Sequence, residues 1–169
     1  MANANELEFA PVSLEDLDII AALEAISFHP DEAASKEQLA KRIGYATQED
    51  DALMAVARYH GQLVGYIATT LTNASLVTDE SMSSHEPGGQ TVCLHGVCIA
   101  PEYRGRGWAV ALMRYWIQQL KRKNKYKRIA LLSRPQLTGL YETVGFRTLG
   151  KSQVVHGPEP WYDCILDLS

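Results

Sequence analysis

At 169 residues the chain fits a single domain, 1–169, able to bury roughly 70% of the surface its unfolded form exposes. Apolar residues make up 46% and charged residues 21%, an ordinary globular balance that excludes a disordered or low-complexity chain. The net charge of −4 excludes the basic face of a nucleic-acid binder, and no apolar run approaches the ~18 residues of a membrane span.

Leu7–Val12 reads as a short strand. Ser13-Leu14-Glu15-Asp16 has the form of a capping box with Asp as its fourth residue. Leu14, Leu17, Ile20, Ala21 and Leu23 then give a helical stripe, which Phe28-His29-Pro30-Asp31 interrupts. Ser35 opens a second helix with Leu39 and Ile43 facing inward and Gly44 near its end. Leu53–Tyr59 and Leu63–Leu71 flank a glycine-containing turn and predict a hairpin. Asn73–Gln90 is polar, and a loop of that length in a small domain is functional or mobile. Thr91–Ile99 is a strand, Pro101–Arg106 a turn, and Gly107–Lys121 a long helix with Val110, Met113, Ile117 and Leu120 on one face. Arg128–Leu132 is a buried strand, and Pro135–Val144 a short helix capped by Gly145. Phe146–Val155 and Trp161–Leu168 predict two closing strands. The order β-α-α-β-β-β-α-β-α-β-β implies an α/β fold, a mixed sheet with helices on both faces.

Three cysteines, Cys93, Cys98 and Cys164, form neither a disulfide framework nor a CxxC pattern, which fits a reducing compartment. The polar N-terminus, Met1 to Glu8, has no apolar secretory core, so the expected location is the cytosol.

Small residues Gly105, Gly107 and Ala109 alternate between a strand and a long helix. Small side chains let backbone approach a ligand, and a helix start offers unpaired N–H groups and the positive end of the dipole. Together these suit a phosphate or pyrophosphate. The same glycines could serve only a tight turn. The segment is neither a Rossmann fingerprint nor a Walker A loop.

Arg104-x-x-Gly107-x-Ala109 resembles the signature of the GNAT acetyltransferases. The resemblance continues upstream in Gly61-Gln62-Leu63-Val64-Gly65-Tyr66 and downstream in Leu140-Tyr141-Glu142-Thr143-Val144-Gly145-Phe146, and it covers nearly the whole chain. It implies the GNAT acyl-CoA N-acyltransferase fold and acetyl-CoA as donor. The pyrophosphate would lie on the backbone of Arg104, Gly105, Arg106, Gly107, Trp108, Ala109 and Val110, and the pantetheine arm along a splayed strand at Val97, Cys98 and Ile99. A narrower resemblance, to the arylalkylamine (serotonin-type) N-acetyltransferases, lies in Thr78-x-Glu80-Ser81-Met82-x-x-His85-x-Pro87-x-Gly89 and Leu94-His95. Phe28-His29-Pro30-Asp31-Glu32-Ala33-Ala34-Ser35 is similar to the non-vertebrate branch of that family, and the vertebrate Cys-Pro-Leu loop and N-terminal phosphorylation segment are missing. The resemblance implies a small arylalkylamine acceptor, bound by Phe28, Pro30 and Leu94, and a monomer without nucleic-acid or membrane partners.

Cys93 and His95 lie two apart on a strand and share a face. In the vertebrate enzymes both matching positions are histidines implicated in proton removal, so His95 is the candidate base. A hydrogen-bonded core histidine is the plain alternative. Cys93 as a nucleophile activated by His95 is a further reading. A metal pair would need two more ligands, and none is obvious, so no metal is expected. The resemblance makes Tyr141 the acid for the CoA thiolate, against a tyrosine packed at a helix–strand corner. Lys121–Arg128 is a basic helix end, either solvated or near the 3′-phosphate of CoA. Asp31 and Glu32 could attract an ammonium or be solvated loop charges. Competing functions are a polyamine or protein N-terminal acetyltransferase, a non-enzymatic CoA sensor, and an interaction module without CoA.

Overall fold

The computed structural model describes residues 4–169; residues 1–3, the start of the polar terminus, lie outside them. Seven strands form one mixed sheet in the order β1-β2-β3-β4-β5-β7-β6. They are β1 (Leu7–Pro11), β2 (Met54–Tyr59), β3 (Gln62–Thr72), β4 (Thr91–Ile99), β5 (Arg128–Ser133), β6 (Arg147–Lys151) and β7 (Tyr162–Asp167). The helices are α1 (Leu17–Ser27), α2 (Lys36–Gln48), α3 (Trp108–Lys123) and α4 (Thr138–Thr143). This is the order of elements expected from the sequence. The chain falls into two compact units, Met1–Ala68 with Gly96–Gln118, and Thr69–His95 with Gln119–Ser169.

In the first unit, β1 and β2 pair antiparallel, and β2 and β3 turn through His60 and Gly61, both at positive φ. Two such residues between strands are the twist-matched two-residue hairpin turn. The capping box is present: the Ser13 side chain accepts from backbone, and the Ser13 N–H donates to Asp16 at 2.9 Å. Asp16 also takes Arg58 Nη2 on both oxygens, at 2.9 and 2.8 Å. The aspartate thus ties the start of α1 to β2.

The stripe of α1 needs correction. Ile20 is fully buried, but its partner one turn on is Glu24, while Leu14 and Ile26 lie at the surface. Glu24 is tolerated inside because its Oε1 accepts from the Tyr66 hydroxyl at 2.5 Å and its Oε2 from the Ala34 N–H at 2.8 Å. Nor does α2 end near Gly44. It runs to Gln48, because Ile43 and Ala46 on either side are buried and packing outweighs the cost of an interior glycine, about 1 kcal/mol. On α3 the buried stripe is Trp108, Leu112, Met113, Trp116, Ile117 and Leu120, with Val110 only half-buried. The indole of Trp116 donates to the Ala52 carbonyl at 3.0 Å, which lets a large polar-edged ring sit fully inside.

In the second unit, β4 and β5 are parallel, with Cys93 opposite Ala130 and Leu94 opposite Leu131. Strand β7 pairs antiparallel with β5 and with β6. Ile129, Ala130 and Leu131 are almost fully buried, as expected of a strand covered on both faces. The expected strand Phe146–Val155 is shorter: β6 stops at Lys151. Gly150 sits at φ 132 beside a register shift, and beyond Ser152 the chain is irregular through Gly157 and two prolines, which remove ladder donors.

Residues 73–90 form no helix or strand but are strapped down. The Glu86 N–H donates to the Leu71 carbonyl, and the Glu86 carboxylate accepts from Thr72 Oγ1 at 2.9 Å and from Asn73 N and Nδ2 at 3.1 and 2.8 Å. His85 Nδ1 accepts the Leu71 N–H at 3.0 Å. Thr78 and Ser81 bond reciprocally. Gly89 presses on the backbone of Thr72, where a Cβ would lie 2.7 Å from its carbonyl.

Candidate active site

The donor candidates belong to the first unit and are continuous in the chain. From β4 the chain passes through a tight 3-10 turn at Pro101–Tyr103 into Arg104–Gly107 and then α3. Gly105 and Gly107 take φ of 77 and 79°, a region other residues enter only with strain. No atom lies within 4 Å of a Cβ built on either one. The first bond of α3 runs from the Ala111 N–H to the Gly107 carbonyl, so the N–H groups of residues 108–110 have no acceptor within the helix. An open, donor-rich helix start fits an anionic phosphate group.

Not every side chain here faces that opening. The Trp108 ring is 2% exposed and stacks on Tyr103 at 4.8 Å, with Tyr59 at 5.2 Å. It anchors the helix start and leaves only its backbone for a ligand. Arg104 donates from Nε to the Ile99 carbonyl at 2.9 Å and from Nη2 to Ser27 Oγ at 2.8 Å, fastening the turn to the end of β4 and to α1. Arg106 is exposed, its guanidinium 5.9 Å from the centre of the Tyr103 ring. Ala109 and Val110 are half-buried in the first turn of α3. On β4, Val97 is half-buried, whereas Cys98 and Ile99 are buried. Burial raises the Cys98 thiol above its ordinary value, with Ser27 Oγ 3.2 Å away.

Phe28 and Pro30 follow α1 in the same unit. Phe28 is half-buried, its ring tip 3.7 Å from where a Cβ on Gly96 would sit, and Pro30 lies exposed in the next turn. That turn is closed by Glu32 and Ala33 N–H groups on the His29 carbonyl, both at 2.8 Å. Asp31 sits 3.6 Å from His29 Nδ1, which also accepts the Asp31 N–H at 3.1 Å.

In the second unit, Cys93 and His95 share a face of β4 as expected. Cys93 is fully buried, and burial pushes its thiol up to about 11, so it holds its proton at neutral pH. That is the opposite of an activated nucleophile. His95 is half-buried with Nε2 2.7 Å from Thr70 Oγ1. The same Thr70 hydroxyl reaches the Ser81 carbonyl at 3.2 Å. Thr70 has one proton, and a carbonyl can only accept. Both contacts are therefore satisfied together when Nε2–H donates to Thr70, which makes Nδ1 the basic nitrogen. Thr70 carried no signal in the sequence because nothing in a strand that also holds Thr69 and Thr72 marks one of them. Leu94 is 5% exposed and points to the opposite face of β4, so strand geometry does not bring it together with His95.

Tyr141 is half-buried on α4, edge-on to Phe146 at 5.9 Å between ring centres. Burial, with Cys164 nearby, pushes its phenol up to about 12. A phenol held neutral across the physiological range can give a proton but not take one. Asp163 was also missed. It is 8% exposed on β7 and lines an open pocket of about 340 Å³, with residues 76–79 on one side and 152–154 on the other. Its sole signal was an acidic residue among the apolar ones of a predicted strand. The basic stretch begins in the last turn of α3, the helix stops before Asn124, which takes φ 53, and all residues from Lys121 to Lys125 are exposed.

Among the described residues no helix is long and apolar enough to cross a membrane, and no three His, Cys, Asp or Glu side chains are grouped to hold a metal ion.

The family described as Acetyltransferase (GNAT) domain matches residues 20–159. Serotonin N-acetyltransferase of Mesocricetus auratus is 30% identical over 97 residues, 57% of this chain and 47% of that one. Histidine N-acetyltransferase of Xenopus tropicalis is 24% identical over 107 residues, 63% of this chain and 29% of its own. The chain therefore spans about half or less of the length of these curated relatives. Among solved structures, the GphF GNAT-like decarboxylase in complex with isobutyryl-CoA superposes with a TM-score of 0.81 at 18% identity, covering 96% of this chain and 100% of that one. Arabidopsis thaliana Naa50, in complex with the bisubstrate analogue CoA-Ac-MVNAL, does so at 0.70 and 18%, covering 95% and 97%. These likenesses establish the fold.

Proposed function

Because this chain belongs to the GNAT acetyltransferase domain family, we propose that it moves the acetyl group of acetyl-CoA to the primary amine of a small arylalkylamine by direct attack. The observation that carries the reading is the open turn at Gly105 and Gly107 at the start of α3, where bare N–H groups suit a pyrophosphate. The likeness to serotonin N-acetyltransferase and the residues shared with the arylalkylamine enzymes support the acceptor.

The acceptor nitrogen must first lose a proton. An alkylamine with a pKa of roughly 10 is neutral in about one molecule in a thousand near pH 7. In this reading His95 takes that proton on Nδ1. The nitrogen then forms a bond to the thioester carbon, and the carbon–sulfur bond breaks. Tyr141 hands its proton to the departing thiolate and regains one from solvent. Cys93 takes no part, since a buried, protonated thiol does not compete with the amine. Backbone N–H groups of β4 polarise the carbonyl. The same reading takes residues 1–169 as one functional domain, a cytosolic monomer acting on small molecules.

The test is an acceptor screen with acetyl-CoA, following free thiol and the mass of the product. Aryl-ethylamines such as tryptamine and phenylethylamine should be acetylated. Turnover of peptide N-termini alone would replace the arylalkylamine reading, and acetyl-CoA binding without any turnover would make the protein a CoA sensor. A diamine acceptor is the second reading, and the pocket at Asp163 is the observation in its favour.

A further inference from the structure

The helix that carries Tyr141 is too short to place it unaided. α4 has six residues and no side-chain cap at its start. A helix this short does not repay its own nucleation, so its direction comes from what holds its two ends. The rear end is fixed by backbone: the Tyr141 carbonyl accepts the Val144 and Phe146 N–H groups, both at 3.1 Å. Glu142 Oε2 also accepts from Thr148 Oγ1 of β6 at 3.0 Å. The front end is fixed at Arg134, the first residue after β5. Its carbonyl accepts the Leu137 N–H at 3.0 Å and the Ser133 hydroxyl at 2.8 Å, which closes the 3-10 turn Pro135–Leu137 leading into α4.

The Arg134 side chain is held as firmly as its carbonyl. It is 12% exposed, and its guanidinium lies 3.9 Å from the centre of the Trp161 ring. Nη1 donates to the Glu159 carbonyl at 3.4 Å and lies 3.6 Å from the Glu159 carboxylate. Trp161 is itself fixed. Its indole N–H donates to the His156 carbonyl at 2.7 Å, and its own carbonyl accepts the Ser152 N–H at 2.7 Å. The irregular chain between β6 and β7 thus closes around the cation. An apolar residue would fill the same space without the cost of desolvating a charge, so packing alone gives no reason for an arginine here. What the arginine adds is orientation. A flat guanidinium lies on a ring and meets a carbonyl at its edge at the same time, which an ammonium does not match.

We propose that Arg134 is a positioning residue for Tyr141: clasped between Trp161 and Glu159, it sets the start of α4 and so aims the phenol at the departing thiolate. The proposal rests on the reading of Tyr141 as the acid and adds the group that places it. An error on the order of 1 Å at a reacting group costs up to about a hundredfold in rate, so a residue that never touches the substrate has a measurable share in kcat.

The experiment is a double-mutant cycle between Arg134→Ala and Tyr141→Phe, with an aryl-ethylamine and acetyl-CoA as substrates. Arg134→Ala alone should lower kcat by about tenfold and leave KM for both substrates within about twofold. Arg134→Lys keeps a cation over the ring without the planar edge, so its loss should be smaller, about threefold. In the Tyr141→Phe background, Arg134→Ala should change kcat by less than about twofold, because no phenol is left to aim. An equal loss in both backgrounds, or no loss in the wild type, overturns the proposal. So does a loss carried by KM for the amine, which would make the β6–β7 segment the thing that Arg134 holds. If Arg134→Ala does not fold, Arg134→Lys carries the same cycle. If no amine is acetylated, or Tyr141→Phe keeps kcat within about threefold, the acid reading has failed, and hydrogen exchange judges the placement of α4 by itself. Lost protection at the Leu137 and Val144 amides in the folded Arg134 variant then sustains it, and unchanged protection overturns it.

Discussion

The turn at Arg104–Gly107 and the strap at residues 73–90 are both irregular backbone beside β4, yet they hold opposite kinds of glycine. Gly107 stands at positive φ with nothing near its missing side chain, whereas Gly89 has lost its side chain because the Thr72 backbone occupies that space. The first glycine leaves room for something to arrive, and the second lets the chain close on itself. Glycine-rich sequence alone does not separate a ligand cradle from a tight joint. The length of an irregular segment is equally ambiguous, since the strap is long but pinned at Glu86, His85 and Ser81.

The largest effect that would sharpen this contrast comes from Gly107→Glu. A carboxylate in the cradle opposes phosphate and strains the backbone, so acetyl-CoA affinity should fall roughly a hundredfold, about 3 kcal/mol. The rise in melting temperature that acetyl-CoA gives the wild type should vanish. A Gly107→Ala control adds the strain without the charge. If Gly107→Glu folds and binds acetyl-CoA normally, the turn is only a turn.

Tyr141→Phe should come next. Losing the leaving-group acid should lower kcat by about a hundredfold, near the lower end of the general-acid range because a thiolate departs readily. The ring and its contact with Phe146 persist, so Tm and acetyl-CoA binding should hold. With the phenol pushed up to about 12, no limb of the wild-type rate profile below pH 10 should come from Tyr141. A kcat within about threefold of wild type would make it a packing residue.

The smallest effect concerns the strap. Three donors, the Asn73 N–H first and then the Thr72 and Asn73 side chains, hold the Glu86 carboxyl below its ordinary value. A depressed folded value means that its contribution is complete above the ordinary value of 4.5 and is lost as pH falls through the lowered one. Protection of the Glu86 and Leu71 amides against hydrogen exchange, relative to the intrinsic rate at each pH, should fall in acid in the wild type. In Glu86→Gln the same amides should already exchange faster at neutral pH, with acetyl-CoA binding unchanged. Uniform protection in both proteins would show that the strap is held by packing instead.

Local chemistry was what the sequence made legible. The helix caps at Ser13 and Ser35, the hairpin turn and the glycine turn before α3 each depend on a few neighbouring residues, and each was readable for that reason. Contacts between distant positions were not. No local pattern marks Glu24 as a buried residue of α1, because its partner Tyr66 lies 42 positions away. Thr70 and His95 are 25 apart, and no pattern along the chain joins them. The family resemblance put Leu94 beside His95 in one motif, whereas the pleat sends adjacent residues to opposite faces. The end of β6 was overestimated because an apolar run gives no sign of a register shift at Gly150.

The aromatic anchor at Trp108 gives the start of α3 a built-in optical signal. Its indole is 2% exposed and stacked on one tyrosine with another 5.2 Å away, so its fluorescence is that of a dry ring fed by its neighbours. The other two tryptophans lie elsewhere: Trp116 two turns along the helix, and Trp161 under the guanidinium of Arg134 at 3.9 Å. A molecule that settles on the backbone of residues 107–110 disturbs the first fluorophore before it touches the others. Filling of the cradle is therefore readable by light from the unlabelled protein.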